Sequence, residues 1–218
     1  MKQLLPLLVA VALLVGCSPK TELEKLDRRA QKGDLQAQFD LGAANGNANP
    51  TEAAKWFRKA ADRNHAEAQF YLAAALEKGL GVKQDFAEAA AWYRKSAEQG
   101  SASAQINLGT LHLDGHGVKQ DAAEAVRWFR RAAAQGHVVA QFNSGLAAAD
   151  GKGVKTDLAD AYFWLTLAIR QGHETAHHAR EQVSLQMLPD QIFEASQRAQ
   201  KFAPMSEAKT NAVAKKRP

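Results

Sequence analysis

One cysteine, Cys17, is all that the 218 residues contain. A single thiol closes no internal disulfide and builds no zinc site, so packing alone must hold the fold even in an oxidising compartment. Aromatic residues are scarce, at 7%, and segments rich in β-branched residues are few. That argues against sheet and for packed helices, in keeping with abundant alanine. The apolar fraction of 46% still allows a buried core. The body also lacks a strong charge of one sign. Of the net +5, the stretch from Pro204 onward holds +3, through Lys209, Lys215, Lys216 and Arg217 against Glu207. Lys2 adds one more, which leaves the body near +1. The pI of about 9.3 is therefore no sign of a nucleic-acid surface, and none is expected.

The N-terminal apolar run, Leu4 to Val15, is 12 residues long and interrupted by Pro6. It falls short of the roughly 20 residues needed to span a bilayer. Preceded by Lys2 and ending Leu14-Val15-Gly16-Cys17, residues 1–16 read as a secretory signal. The ending resembles the bacterial lipobox, in which the cysteine is lipidated and becomes the new N-terminus. An ordinary signal peptide with an incidental cysteine is the competing reading. The resemblance implies that Cys17 carries a diacylglycerol and an N-acyl chain, enough for stable anchoring at about 0.8 kcal/mol per buried CH₂. It also implies that Ser18, where aspartate would retain the protein at the inner membrane, favours the outer membrane. The expected location is the cell envelope, lipid-anchored, facing the periplasm.

Periodicity governs the rest. Trp56, Trp92, Trp128 and Trp164 lie 36 residues apart. An Ala-Gln pair recurs at Ala37-Gln38, Ala68-Gln69, Ala104-Gln105 and Ala140-Gln141, with Ala176-His177 at the next equivalent position. Two helices, A and B, fit one period. Helix A starts near the Ala-Gln pair and stops at Gly79-Leu80-Gly81-Val82, Gly115-His116-Gly117-Val118 or Gly151-Lys152-Gly153-Val154. Glycine tolerates the left-handed backbone that ends a helix, and the valine is free to drop onto the core. Helix B opens at Asp85, Asp121 or Asp157, each with an acid three positions on, Glu88, Glu124 or Asp160. This approximates a capping box, favoured also by the helix dipole. Asn49 and Pro50 take that role in the first repeat. Helix B ends at Asn64, Gly100, Gly136 and Gly172. Between Ala37 and Trp56 the first repeat is five residues short, a deletion assigned to the A–B loop.

These segments, Ala-Gln-Phe-Asp-Leu-Gly, Gly-Val-Lys-Gln-Asp and Ala-Glu-Ala-Ala-Ala-Trp-Tyr-Arg-Lys-Ser-Ala-Glu-Gln-Gly among them, resemble Sel-1-like repeats over roughly residues 22–203. The resemblance implies an all-α fold, a right-handed α-solenoid of helix-turn-helix repeats like the tetratricopeptide superhelix. The expected organisation is a signal (1–16), a lipidated linker (17–21), an N-terminal capping helix (22–33), four repeats (34–65, 66–101, 102–137 and 138–173), capping helices (174–203) and a disordered basic tail (204–218). The caps, one closing at Gly33 and a final pair over Glu174–Met187 and Asp190–Phe202, are expected to cover the last apolar faces with charged outer sides. At Trp164-Leu165-Thr166-Leu167-Ala168 the fourth repeat loses its aromatic-Arg-Lys, as a helix facing a terminal cap would.

No catalytic constellation emerges. The Gly-x-Gly loops follow helices, whereas a nucleotide fingerprint follows a strand. His112 and His116 are not on one helix face, adjacent His177 and His178 diverge by about 100°, and His65, His137 and His173 share a capping position with Asp34 and Ser101. No metal or cofactor is expected. Ser206-Glu207-Ala208-Lys209 matches the Ser-x-x-Lys of β-lactamases but has no partner motif to supply a base or oxyanion hole.

What remains is the face that packing leaves free. On one helix A, Ala104, Leu108 and Leu111 point inward, while Ser103, Asn107, Thr110 and Asp114 form a second stripe. Equivalent positions include Gln36, Asp40 and Ala43; Glu67, Tyr71, Ala74 and Lys78; and Val139, Asn143, Leu146 and Asp150. By resemblance to tetratricopeptide solenoids this stripe lines a concave groove. The candidate contacts are Asp40, Glu67, Tyr71, Lys78, Ser103, Asn107, Thr110, Asp114, Asn143 and Asp150, suited to a protein or peptide ligand. The expected function is a membrane-anchored scaffold or adaptor and not an enzyme. The rivals are a periplasmic regulator of a membrane sensor and, without a supporting constellation, a cell-wall or β-lactam hydrolase.

Overall fold

A computed structural model describes residues 19–205. The expected signal segment (1–16), Cys17 and the Ser206–Lys209 motif lie outside the described residues. Among those described there are eleven α-helices and no strand. They are α1 (Pro19–Gln31), α2 (Leu35–Asn45), α3 (Pro50–Asp62), α4 (Ala66–Lys78), α5 (Phe86–Glu98), α6 (Ala102–Asp114), α7 (Ala122–Ala134), α8 (Val138–Asp150), α9 (Leu158–Arg170), α10 (Ala176–Ser184) and α11 (Pro189–Lys201). They form two compact units that divide between Ser96 and Ala97.

The 36-residue period has a simple composition. Two 13-residue helices, such as α4 and α5, are joined by residues 79–85 and followed by residues 99–101. The first repeat is shorter for two reasons: α2 has only 11 residues, and residues 46–49 make its loop. The deletion thus takes part of the helix as well as the loop.

Local chemistry sets the helix ends. Backbone N–H groups of Glu88, Glu124 and Asp160 donate to Asp85, Asp121 and Asp157 at 2.8, 3.0 and 2.8 Å. Asn49 accepts likewise from Glu52 at 3.2 Å. At the A–B loops two glycines matter for separate reasons. Gly151 ends α8 in the left-handed region, at φ 68°. Gly153, at φ +76°, lets the loop lie on the start of α7, where a Cβ would meet the Ala122 oxygen at 2.3 Å. The loop valines Val82, Val118 and Val154 are only half-buried.

In the first unit α1 packs on α2, α2 on α3 and α3 on α4. Ala30, Ala37, Leu41 and Trp56 form its core with Leu26 against them. The Tyr93 hydroxyl on α5 donates to Glu77 on α4 at 2.7 Å, and the Ser96 hydroxyl to the Ala66 carbonyl at 2.8 Å. In the second unit α6 packs on α7, α7 on α8, α8 on α9, and α9 on both α10 and α11. Trp164, Phe163, Leu167 and Ala199 share one cluster, and Leu165, Ala168, Ala176 and Val183 another. Leu165, Thr166 and Leu167 are buried where the other repeats carry an aromatic residue, arginine and a cation, because the terminal pair covers this helix.

That pair departs from expectation in two respects. Helix α10 is shorter than residues 174–187, and the outer side is not simply charged. Leu185, Leu188 and Phe193 are 76%, 68% and 64% exposed. The chain also stays placed beyond Ala203. Pro204 lies on Gly136, and the Met205 N–H donates to the Ala134 carbonyl at 2.8 Å.

Candidate interaction face

Each helix A is oriented by its Ala-Gln pair. Ala37, Ala68, Ala104 and Ala140 are fully buried, and so are their glutamines or nearly so. A buried amide must find a partner. Gln38, Gln69, Gln105 and Gln141 donate to the carbonyls of Ala30, Ala61, Ala97 and Ala133, at 3.1, 3.2, 3.0 and 3.3 Å. Each acceptor lies eight residues earlier, near the end of the preceding helix. In the second unit Gln135 and Gln171 donate in turn to the side-chain oxygens of Gln105 and Gln141, at 2.9 and 2.8 Å. The recurrence of the pair was legible in the sequence; the polar ladder behind it was not, although glutamine at a core-facing position was a signal.

With that side fixed inward, the opposite stripe faces out. Glu67, Lys78, Ser103, Thr110, Asp114 and Asp150 are exposed, and Asp40, Tyr71, Asn107 and Asn143 are half-buried. Their detailed situations differ. Gln36 donates to Asp40 at 2.9 Å, and its oxygen lies 3.3 Å from Nε2 of His65. The Thr110 hydroxyl donates to the Ile106 carbonyl of its own helix at 3.2 Å. Tyr71 has the packing role that its place in the stripe did not suggest. Its ring stacks on Phe57 with centroids 5.3 Å apart and touches Phe39 and Phe70 at 5.7 and 5.3 Å. Tyr71 is thus part of an aromatic cluster with Phe39, Phe57 and Phe70 and stays half-buried.

One histidine serves as an A-helix N-cap. Nδ1 of His65 accepts from the Ala68 N–H at 3.2 Å, so Nε2 carries the proton, and the ring stacks on Phe39 at 4.9 Å. His173 stacks on Phe142 at 4.1 Å. His137 makes no cap bond. Burial pushes its pKa down, and its Nδ1 is buried without a partner. Asp34 caps α2 at 2.9 Å, with its carboxyl held below the ordinary range by the Ala37 N–H and then by Arg29. At the start of α7 the Glu124 N–H does the same for Asp121.

The B helices are tied across repeats. Indole N–H groups of Trp92, Trp128 and Trp164 donate to Glu88, Glu124 and Asp160, at 3.1, 2.8 and 3.2 Å. The acids expected to complete capping boxes thus hold the tryptophans. Arg58 donates to Glu88 at 2.6 Å and Arg130 to Asp160 at 2.8 Å, each across 30 residues. This pairing lowers the Glu88 pKa and raises that of Arg58. Arg198 joins Asp160 at 3.2 Å and lies over the Phe163 ring. Arg130 is therefore a structural link between helices. The 30-residue offset between arginine and acid is present in the sequence, but it is out of step with the 36-residue lattice of the tryptophans.

Among the described residues no group of three or more His, Cys, Asp or Glu could hold a metal ion, and no helix is long and apolar enough to cross a membrane.

The Sel1 repeat family model matches residues 35–65, 66–101, 102–137 and 138–173. No curated protein matches significantly. Among solved structures, a Sel1 repeat protein from Oxalobacter formigenes is 30% identical, with 84% of this chain and 80% of that one covered and a TM-score of 0.69. A protective antigen present in uropathogenic Escherichia coli strains, displaying an SLR fold, is 26% identical with a TM-score of 0.53. It covers 96% of this chain, which in turn spans 55% of that protein.

Proposed function

The chain belongs to the Sel1 repeat family, whose repeats mediate protein–protein interaction, and on that premise we propose that it is a non-catalytic, lipid-anchored scaffold or adaptor of the bacterial cell envelope. It binds a protein or peptide along the outward face of its A helices. The observation that carries this reading is the division of each A helix. The Ala-Gln side is buried and hydrogen-bonded, whereas every one of the ten stripe residues keeps solvent contact. Amides and carboxylates there suit hydrogen bonding to an extended chain, and Tyr71 supplies a rigid aromatic edge.

Anchoring rests on Leu14-Val15-Gly16-Cys17, and Ser18 favours the outer membrane with the repeats in the periplasm. Mass spectrometry of the protein from its native envelope should find acyl chains on Cys17; an unmodified Cys17 or a mature start elsewhere would end the anchor reading. In-cell crosslinking, followed by identification of the captured protein, tests the adaptor role. A specific partner should be recovered through helix-A positions; capture solely through helix-B positions would contradict the proposed face.

A further inference from the structure

We propose that the basic segment 206–218 of this chain docks in cis on the outward face of α6 and α8. The segment leaves the folded body at a defined place. Phe202 packs on Phe163 and Trp164, Pro204 on Gly136, and the Met205 N–H is bonded to the Ala134 carbonyl at the end of α7. Three residues beyond Gly136, the outward stripe of α8 begins at Val139, an apolar side chain 41% exposed. Met205, the last described residue, is therefore held within a few residues of the start of that stripe.

Length and charge agree with this occupant. Thirteen extended residues reach up to about 43–47 Å, whereas the 13-residue α8 is about 20 Å long. Lys215, Lys216 and Arg217 therefore reach the far end of the helix with chain to spare, and Lys209 reaches its middle. At that far end stands Asp150, the last residue of α8, and Asp114 ends α6 in the same register. Both carboxylates are exposed, and neither has an ion-pair partner among the described residues. An acid in the last turn adds to the negative end of the helix dipole, so each position attracts a cation and is unfavourable without one. The segment carries a net +3. Between the ends, Ser103 and Asn143 offer side-chain groups that an extended backbone uses. The consequence, which rests on the binding reading of this face, is that a partner must displace the chain's own segment before it binds there.

The test uses the full chain with the photoreactive residue p-benzoylphenylalanine at Val139 or, separately, at Asn143. Irradiation should join residues 206–218 to α8 within single molecules, about fivefold more than a probe at exposed Arg127 on α7. Replacing Lys209, Lys215, Lys216 and Arg217 by Gln, or raising NaCl to about 0.5 M, should remove that excess, because the screening length shrinks from about 10 Å at 0.1 M to about 4 Å. No excess over Arg127, an excess that survives charge removal, or joining solely between two copies would overturn the proposal. Partner capture is scored separately: lost capture with intact joining refutes the binding reading and leaves the docking in place.

Discussion

His137 stands where Asp34, His65 and Ser101 cap their helices, yet it makes no cap hydrogen bond and buries Nδ1 without a partner. Two costs follow, an unsatisfied helix end and a desolvated imidazole. His137→Ser should stabilise the protein by about 0.5–1 kcal/mol in chemical denaturation, and a loss of stability would contradict the assignment. The pH dependence has a definite sign. The unfolded imidazole takes up a proton near its ordinary value of 6.5 and the folded one only at lower pH. Stability is therefore full above that value and falls as pH drops towards the folded pKa. The serine variant should lose less stability than the parent between pH 7 and 5; equal slopes would show that His137 is not the group responsible. The shared capping position was legible from Asp34, His65, Ser101, His137 and His173. The failure at His137, and at His173, where Thr175 takes the N-cap position, was not, because a cap bond depends on ring orientation and tenths of an ångström.

Elements carry the repeat lattice through contacts that spacing announces but does not explain. Trp128 is 2% exposed, its indole bonded to Glu124 and its face covered by Arg131. Trp128→Ala should cost about 3–5 kcal/mol; denaturation showing under about 1 kcal/mol would place the ring outside the core. The two glycine duties separate in the same way. Gly172, at φ +83°, has nothing within 4 Å of an added Cβ, whereas Gly153 faces Ala122 backbone at 2.3 Å. Gly172→Ala should cost only the left-handed backbone penalty of about 1–2 kcal/mol, and Gly153→Ala distinctly more. Equal losses would mean that the loop does not rest on α7. Helix starts, stops and the 36-residue period were readable because capping and left-handed turns are local. The Arg58–Glu88 and Arg130–Asp160 pairs were not, since they join helices of successive repeats.

For the whole molecule, family and helix-pair architecture were legible from the tryptophans, the Ala-Gln pairs and the Gly-x-Gly loops. The outward stripe emerged from the same wheel, but Tyr71 shows the limit of that projection: a residue outside the main stripe of burial still joined a four-ring cluster. Arg130 is an inter-helix link, so controls belong at exposed Lys55 and Arg127, whose short-range ion pairs contribute little. The most direct measurement is partner capture by the full chain with Asn107 and Asn143 both replaced by Ala, beside Lys55→Ala and Arg127→Ala, with the melting temperature of each. Capture should fall in the asparagine variant while it still melts cooperatively, and persist in the controls. Capture that survives loss of both asparagines and fails in Lys55→Ala or Arg127→Ala would place binding on the B helices and contradict the account.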